Sequence, residues 1–201
     1  DDGSVTGVTN LVSNTGVVAT DVSAVGTARA YPAGAEFGGD KGIFSYGFTD
    51  TNVSMSNLVS NAGVVATDTS GVGTARSKLA ACEYGVDKAI FAYGHNGSAY
   101  VSMSNLVSNT GVVATDVDGV GTARGYLSAC EYGDDKGIFG FGDTGTNNFT
   151  GVTNLVSNTG VVATDVSAVG TARSYSAACS YGGDKGIFGY GYAGSRVSMT
   201  N

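Results

Sequence analysis

The residues that could take part in chemistry are few, and most of them recur at a fixed interval. Three cysteines share one position of a repeated pattern, and the first copy carries Ala35 there; they are Cys82, Cys130 and Cys179. Equivalent positions of separate units face separate contacts, and three is an odd number, so no disulfide framework is expected. Replacement by alanine indicates a small buried packing residue. A ring of three thiols around an axis is an alternative, but it lacks the fourth ligand that zinc normally takes, and we assign no metal ligand.

No catalytic set can be assembled from the remaining polar residues. His95 is the only histidine, and it lies beside Asn96 and Gly97 in a predicted surface loop. There is no G-x-S-x-G nucleophile motif, and one histidine gives no specific Ser-His-Asp set. The scattered acids do not suggest a pair of glycosidase carboxylates, and residues 116–119 are only a fragment of a calcium loop. We therefore predict a protein without catalytic residues or cofactors.

Charged residues recur in every unit and balance one another, so the net charge of −7 comes from the other positions. We predict that the recurring arginines and aspartates form structural ion pairs within or between units. The alternative is a set of four anion sites. With only ten basic residues, nucleic acid is not an expected partner, and no apolar run reaches the length of a membrane span. The predicted pairs involve Arg29, Arg76, Arg124, Arg173, Asp21, Asp68, Asp116 and Asp165.

These positions recur because the chain consists of four copies of a unit of about 48 residues, within a single predicted domain over residues 1–201. Residues 10–21 return with at most one change in every copy, followed by V-G-T-A-R and G-x-D-K. The units start near Asn10, Asn57, Asn105 and Asn154.

Turn signals divide each unit into four short strands, which we call A to D. In the fourth copy, A and B are residues 176–180 and 185–190, and D is residues 161–166; the first complete C is residues 53–59. No helical period is sustained. The pattern predicts an all-β propeller whose blades are four-stranded antiparallel sheets, with the small residues of strand A innermost.

The order of signals resembles the kelch repeat, through Arg173 before strand A and the glycines of Gly189-Tyr190-Gly191 after strand B. The resemblance implies a propeller fold, although an aromatic residue interrupts the glycine pair and tryptophan is absent. Both ends of the chain read as strand C, from Ser4 and from Ser195, so we predict a four-bladed ring whose closing blade is shared by the two termini. An eight-bladed ring of two chains and a fragment of a longer array are the alternatives.

Sequence variation is concentrated in the B–C loops and at the start of strand A, which fall on one face of the predicted ring. Variable loops on a fixed scaffold are typical of binding, although loops also drift without constraint. Aromatic rings beside amides suit stacking on sugars or docking of a protein loop. The candidate ligand-binding residues are Tyr31, Tyr100, Tyr126, Asn147, Asn148, Phe149 and Tyr175.

We therefore predict a non-enzymatic binding or scaffold protein that recognises a glycan or a protein surface. Near-identical repeats suggest avidity, as in adhesins, lectins or phage and viral surface proteins, and favour an extracellular or virion-surface location. The predicted state is a monomer or a dimer that completes a larger ring. One alternative is a structural repeat module without a ligand, and another is a hydrolase with its site in the axial channel.

Overall fold

The computed structural model describes residues 5–201 as an all-β array of four three-stranded sheets. Residues 1–4, including Ser4, where we predict that a strand begins, lie outside the described part. No helix capable of crossing a membrane occurs in residues 5–201. The strands are β1 (Ala33–Phe37), β2 (Lys41–Phe48), β3 (Asn52–Val59), β4 (Ala80–Tyr84), β5 (Lys88–Ala92), β6 (Ser104–Val107), β7 (Ser128–Tyr132), β8 (Lys136–Gly140), β9 (Thr153–Val156), β10 (Ala177–Tyr181), β11 (Lys185–Tyr192) and β12 (Arg196–Thr200).

Each sheet is an antiparallel meander in the order A, B, C, as the turn signals predict. In the first sheet, Ala33 pairs with Ser45 and Phe37 pairs with Lys41, so the A–B connection is a tight turn. This turn places Gly38 and Gly39 at φ values of 64° and 75°, where a side chain is strained.

The aromatic residue that interrupts the glycine pair is a β-bulge in strand B. The register of the first sheet shifts between Ser45 and Gly47, and Tyr46 between them has a φ of 63°. The bulge turns the Tyr46 side chain into the core, where its exposure is 0%. Tyr93 and Phe141 are buried in the same way in the next two sheets.

The prediction of a fourth strand in each sheet is wrong, because segment D does not form a continuous ladder of backbone hydrogen bonds with strand C. In each of the first three sheets it runs beside strand C and is joined to it by two isolated bridges, such as Ser56 to Thr69 and Val59 to Val65. Between these bridges the Asn57 side chain donates to the Ala66 carbonyl at 3.1 Å and to Asp68 Oδ1 at 2.9 Å. Backbone bonds such as that from the Ala66 amide to the Leu58 carbonyl at 2.8 Å are therefore interrupted by side-chain bonds.

The four sheets stack in chain order, and the prediction of a closed ring with one shared blade is also wrong. Strand β1 packs on β4, β4 on β7 and β7 on β10. Within residues 5–201 no comparable contact joins β10 to β1. Both ends carry a C segment, and each is already paired: β12 with β11, and residues 9–12 with residues 18–22.

We call the contact between two consecutive sheets a junction, and the core of the protein lies in the three junctions. At the first junction, Tyr46 and Ile43 pack against Phe91, Ala89 and Val107 of the second sheet. The bulge aromatic meets a phenylalanine of the next sheet every time, with ring centroids 5.6, 5.4 and 5.3 Å apart. The contacts between consecutive sheets therefore recur along the chain, as the sheets themselves do.

Backbone hydrogen bonds cross each junction at fixed positions. The Gly38 amide donates to the Asp87 carbonyl at 2.8 Å, and the Gly47 amide donates to the Arg76 carbonyl at 3.0 Å. Within the first sheet, Asn61 of the C–D turn donates to Asp40 of the A–B turn at 3.1 Å. These bonds explain why the two turns barely vary between units.

The cysteine position is matched in size across each junction. A Cβ built on Gly137 would lie 2.5 Å from Cys82 Sγ, and one built on Gly186 would lie 2.6 Å from Cys130 Sγ. At the first junction the equivalent residues are Ala35 and Ala89, which belong to one core cluster. A larger residue on one side is therefore accompanied by a smaller one on the other.

Candidate functional site

The structure brings the two variable regions together at one end of the stack, which we call the loop end. Isolated bridges join the residue before each strand A to the end of strand B, as between Ala30 and Phe48 or between Ser174 and Tyr192. The start of strand A and the B–C loop of each unit are therefore neighbours. The A–B and C–D turns form the opposite, constant end.

Three candidate tyrosines form a column at the loop end, which we call the tyrosine column: Tyr31, Tyr126 and Tyr175. The rings of Tyr126 and Tyr175 are 4.3 Å apart, and those of Tyr31 and Tyr126 are 6.4 Å apart. Lys78 holds the equivalent position in the second unit and places Nζ 4.9 Å from the Tyr126 ring centroid. Tyr31 and Tyr175 are 54% and 58% exposed.

The backbone of the column is left-handed at every position. The φ values are 53° at Tyr31, 60° at Lys78, 53° at Tyr126 and 54° at Tyr175. This conformation costs a bulky residue about 1–2 kcal/mol. A ladder of hydrogen bonds holds it, because the Tyr126 amide donates to the Lys78 carbonyl and the Tyr175 amide donates to the Tyr126 carbonyl, both at 2.9 Å. The aromatic residues of the bulges, such as Tyr46, have the same left-handed backbone, so this strain is a recurring feature of the repeat.

A groove of about 570 Å³ begins at the last member of the column. Asn147, Phe149 and Tyr175 line it, so three of the candidate residues share one concave surface. The lining residues that sequence reasoning missed include Asp143, Tyr192 and Arg196. Aromatic rings, an amide and both signs of charge are therefore available to a polar ligand.

The other two candidates have different surroundings. Tyr100 packs its ring edge against His95 at 5.1 Å, and burial and the Asp143 carboxylate raise its pKa to about 12, so its hydroxyl stays protonated. The Asn148 amide donates to Thr144 Oγ1 at 2.8 Å. Asn148 therefore holds its own loop in shape.

His95 also has a local partner, since its Nδ1 accepts the Gly97 amide at 3.1 Å. Burial and the nearby Lys78 lower its pKa, so the ring is neutral at pH 7. Both contacts fit a residue that shapes the B–C loop.

The recurring arginines lie between sheets. Arg76 and Arg124 are 0% exposed, and their Cζ atoms lie 4.1 Å from the ring centroids of Tyr46 and Tyr93 of the preceding sheet. Such a desolvated cation over an aromatic face is a favourable arrangement. Arg76 and Arg124 therefore each join two sheets.

The aspartates are only secondary partners of these arginines. Arg29 is 3.9 Å from Asp68 and Arg76 is 3.8 Å from Asp116, whereas the Arg76 guanidinium donates to Asn105 Oδ1 at 2.7 Å. Arg124 bonds Asn154 Oδ1 at 2.7 Å and Arg173 bonds Asn201 Oδ1 at 2.8 Å, and Asp21 accepts from Asn10. Asp165 accepts a hydrogen bond from the Thr122 hydroxyl. The repeat shows that an asparagine starts each unit, but only the structure shows that those of the later units accept hydrogen bonds from the arginines.

The four A strands, β1, β4, β7 and β10, line a second, smaller groove of about 250 Å³, which we call the inner groove. Glu36, Glu83 and Glu131 lie there at one repeat position. Burial, followed by the two neighbouring glutamates, raises the pKa of Glu83 to about 7. Among residues 5–201 no group of three metal-ligating side chains is found.

No protein-family model matches this chain, and no curated protein is significantly similar to it. The resemblance to kelch repeats therefore stays a prediction.

Proposed function

We propose that this protein is a non-enzymatic scaffold that binds carbohydrate at its loop end, with the tyrosine column as a stacking platform. The column itself carries the proposal: three tyrosine rings, two of them more than half exposed, are held in a strained backbone. Sugar rings present C–H faces that pack on such aromatic surfaces, and adjacent amides and charges bind their hydroxyls. The groove at Asn147 and Phe149 supplies these polar groups beside the platform.

A glycan array probed with the labelled chain tests this function, and binding above background is the expected result. Tyr175→Ala removes an exposed ring and weakens a confirmed hit about tenfold, which corresponds to about 1.4 kcal/mol. Val161→Ala is the control, because Val161 is 64% exposed, lies at the constant end and takes part in no junction. An array without any hit refutes carbohydrate as the ligand, and equal losses in both variants refute the column as the site.

A structural role without a ligand is the second candidate, and the repetition of the junctions supports it. The amide-to-carbonyl bond from the A–B turn recurs at 2.8, 2.8 and 2.7 Å across the three junctions. Under this alternative, replacing all three column tyrosines by alanine changes no binding property of the protein. The same array therefore separates the two functions.

A further inference from the structure

Every sheet has a downstream face, which packs on the next sheet, and an upstream face, which packs on the preceding one. The downstream face of the last sheet is uncovered. Tyr190 is 62% exposed there, whereas its equivalents Tyr46, Tyr93 and Phe141 are at most 2% exposed. Cys179 is likewise exposed, although the equivalent Cys82 and Cys130 at the second and third junctions are buried. This face is a junction surface without its other half.

The upstream face of the first sheet is the complementary half. Phe44 is 42% exposed, whereas the phenylalanines at the same position of the other sheets are between 0% and 6% exposed. A cavity of about 660 Å³ lies in front of this face, lined by residues 8–12 and by Gly34, Gly42 and Phe44. A second cavity of about 160 Å³ lies beside Arg29. At the equivalent place, later arginines such as Arg76 are covered by an aromatic ring of the preceding sheet.

The N-terminal segment shows which strands would fill this space. Leu11 packs at Gly63 in the same way that Leu58 packs at Gly111 and Leu106 packs at Gly160. Residues 5–22 therefore sit on the first sheet as the C and D segments of a preceding unit would. The vacant positions beside them are those of strands A and B.

We propose that two copies of this chain associate head to tail, with the β10–β11 hairpin of one copy filling the cavity on the first sheet of the next. We identify a second copy as the occupant because each internal junction already joins a downstream face to an upstream face, and the residues of these faces are nearly the same in every unit. Tyr190 would meet Phe44 as Tyr46 meets Phe91, and it would cover Arg29 as Tyr46 covers Arg76. Cys179 would face Gly42 as Cys82 faces Gly137.

The backbone of the two faces is complementary as well. The donors equivalent to Gly38 and Gly47 are the amides of Gly182 and Gly191, and the matching acceptors are the carbonyls of Asp40 and Arg29. Residues 196–201, which contain β12, and residues 6–10 of the next copy would compete for the place beside β11, and both segments end in Thr-Asn. Residues 6–10 would take that place, so the joint sheet contains strands from two chains.

Such a contact uses two different surfaces, so it repeats until the assembly closes or forms a filament. Sedimentation velocity over a concentration series tests it with the full chain. We expect a series of oligomers that grows with concentration. Phe44→Asp disables only the upstream face and Tyr190→Asp only the downstream face, so each variant alone stays a monomer. Their mixture forms one heterodimer and nothing larger, because only one compatible pair of faces remains.

Val161→Asp is the matched control, because Val161 is 64% exposed and its equivalents Val64 and Val112 are 66% and 65% exposed, so this position lies in no junction. This variant should associate like the wild type. A wild-type chain that is monomeric at every concentration overturns the proposal, as does a mixture of the two face variants that forms no dimer. Far-UV circular dichroism verifies that each variant is folded.

Two further measurements keep the proposal testable if a face variant does not fold. Alkylation of Cys179 in the wild type should slow as concentration rises, because the thiol becomes buried at the new junction. Gly42→Ala should weaken association about tenfold to a hundredfold by overpacking, and adding Cys179→Ala should restore it. An alkylation rate independent of concentration, or a double variant as weak as the single one, overturns the proposal.

Discussion

Gly137→Ala tests the size matching of the junctions. The new methyl group would lie 2.5 Å from Cys82 Sγ and 3.0 Å from the Glu83 carbonyl oxygen, both inside normal contact distance. Gly137 does not have a left-handed backbone, so the substitution introduces no backbone strain. Its effect on stability therefore reports packing across the second junction.

Two opposing effects set the expected change in the free energy of unfolding. Overpacking a close-packed core costs about 1–3 kcal/mol, while replacing a strand glycine by alanine returns about 0.5–1 kcal/mol. Gly137→Ala alone should therefore lower the free energy of unfolding by about 1–2 kcal/mol. Combining it with Cys82→Ala recreates the Ala35–Ala89 pair of the first junction, and most of this loss should disappear.

Urea unfolding of the wild type, the two single variants and the double variant provides the coupling free energy. We expect a favourable coupling of about 1–3 kcal/mol between the two alanines. Gly42→Ala is the control at low protein concentration, because its Cβ would meet Val59 at 3.5 Å and the Ala35 carbonyl oxygen at 3.9 Å, which are ordinary contact distances. Additive effects of Gly137→Ala and Cys82→Ala would refute the packing argument.

Two further predictions concern polar groups. Asn105→Ala leaves the buried Arg76 guanidinium without its 2.7 Å acceptor and should cost about 3 kcal/mol in urea unfolding. At the equivalent position of the N-terminal segment, the Asn10 amide bonds only Ala19 and Asp21 within residues 5–201. Asn10→Ala should therefore cost about 1 kcal/mol or less, and equal losses would contradict the role of the arginine. Glu83→Gln tests pH dependence: the folded-state pKa is raised from 4.5 to about 7, so the wild type loses stability as pH rises through this window. The variant should be more stable than the wild type at pH 8 and match it below pH 4.5; a constant difference would contradict the raised pKa.

The local elements could be predicted from the sequence because their signals are local. The glycines of the A–B turn and the residues of strands A to C define three strands of each sheet, as observed. Segment D has the residues of a strand, yet it does not pair as one. The Asn57 side chain interrupts the backbone pairing there, and nothing in a hydrophobic pattern indicates such an interruption.

Ring closure could not be predicted, because it depends on the angle between packed sheets rather than on the number of repeats. Four units with strand C at both ends were compatible with a ring, but β12 already occupies the place beside β11. The covariation of Ala35 with Ala89 and of Cys82 with Gly137 was visible in the sequence. It could be interpreted only once the structure showed which positions face each other.

The loop end was partly predictable. Variation identified the tyrosines and the B–C loops, and the structure places them at one end. Arg196 and Tyr192 were missed, because their relation to Phe149 arises only when strand B and the B–C loop of the neighbouring unit come together.

The most direct test of ligand binding by the tyrosine column is an NMR titration of the chain labelled with ¹³C in its tyrosine rings. A bound glycan should shift the ring signals of Tyr31, Tyr126 and Tyr175, while those of the buried Tyr46 and of Tyr181 at the constant end stay in place. Shifts confined to Tyr181, or a column whose signals do not move at saturating ligand, would contradict the account.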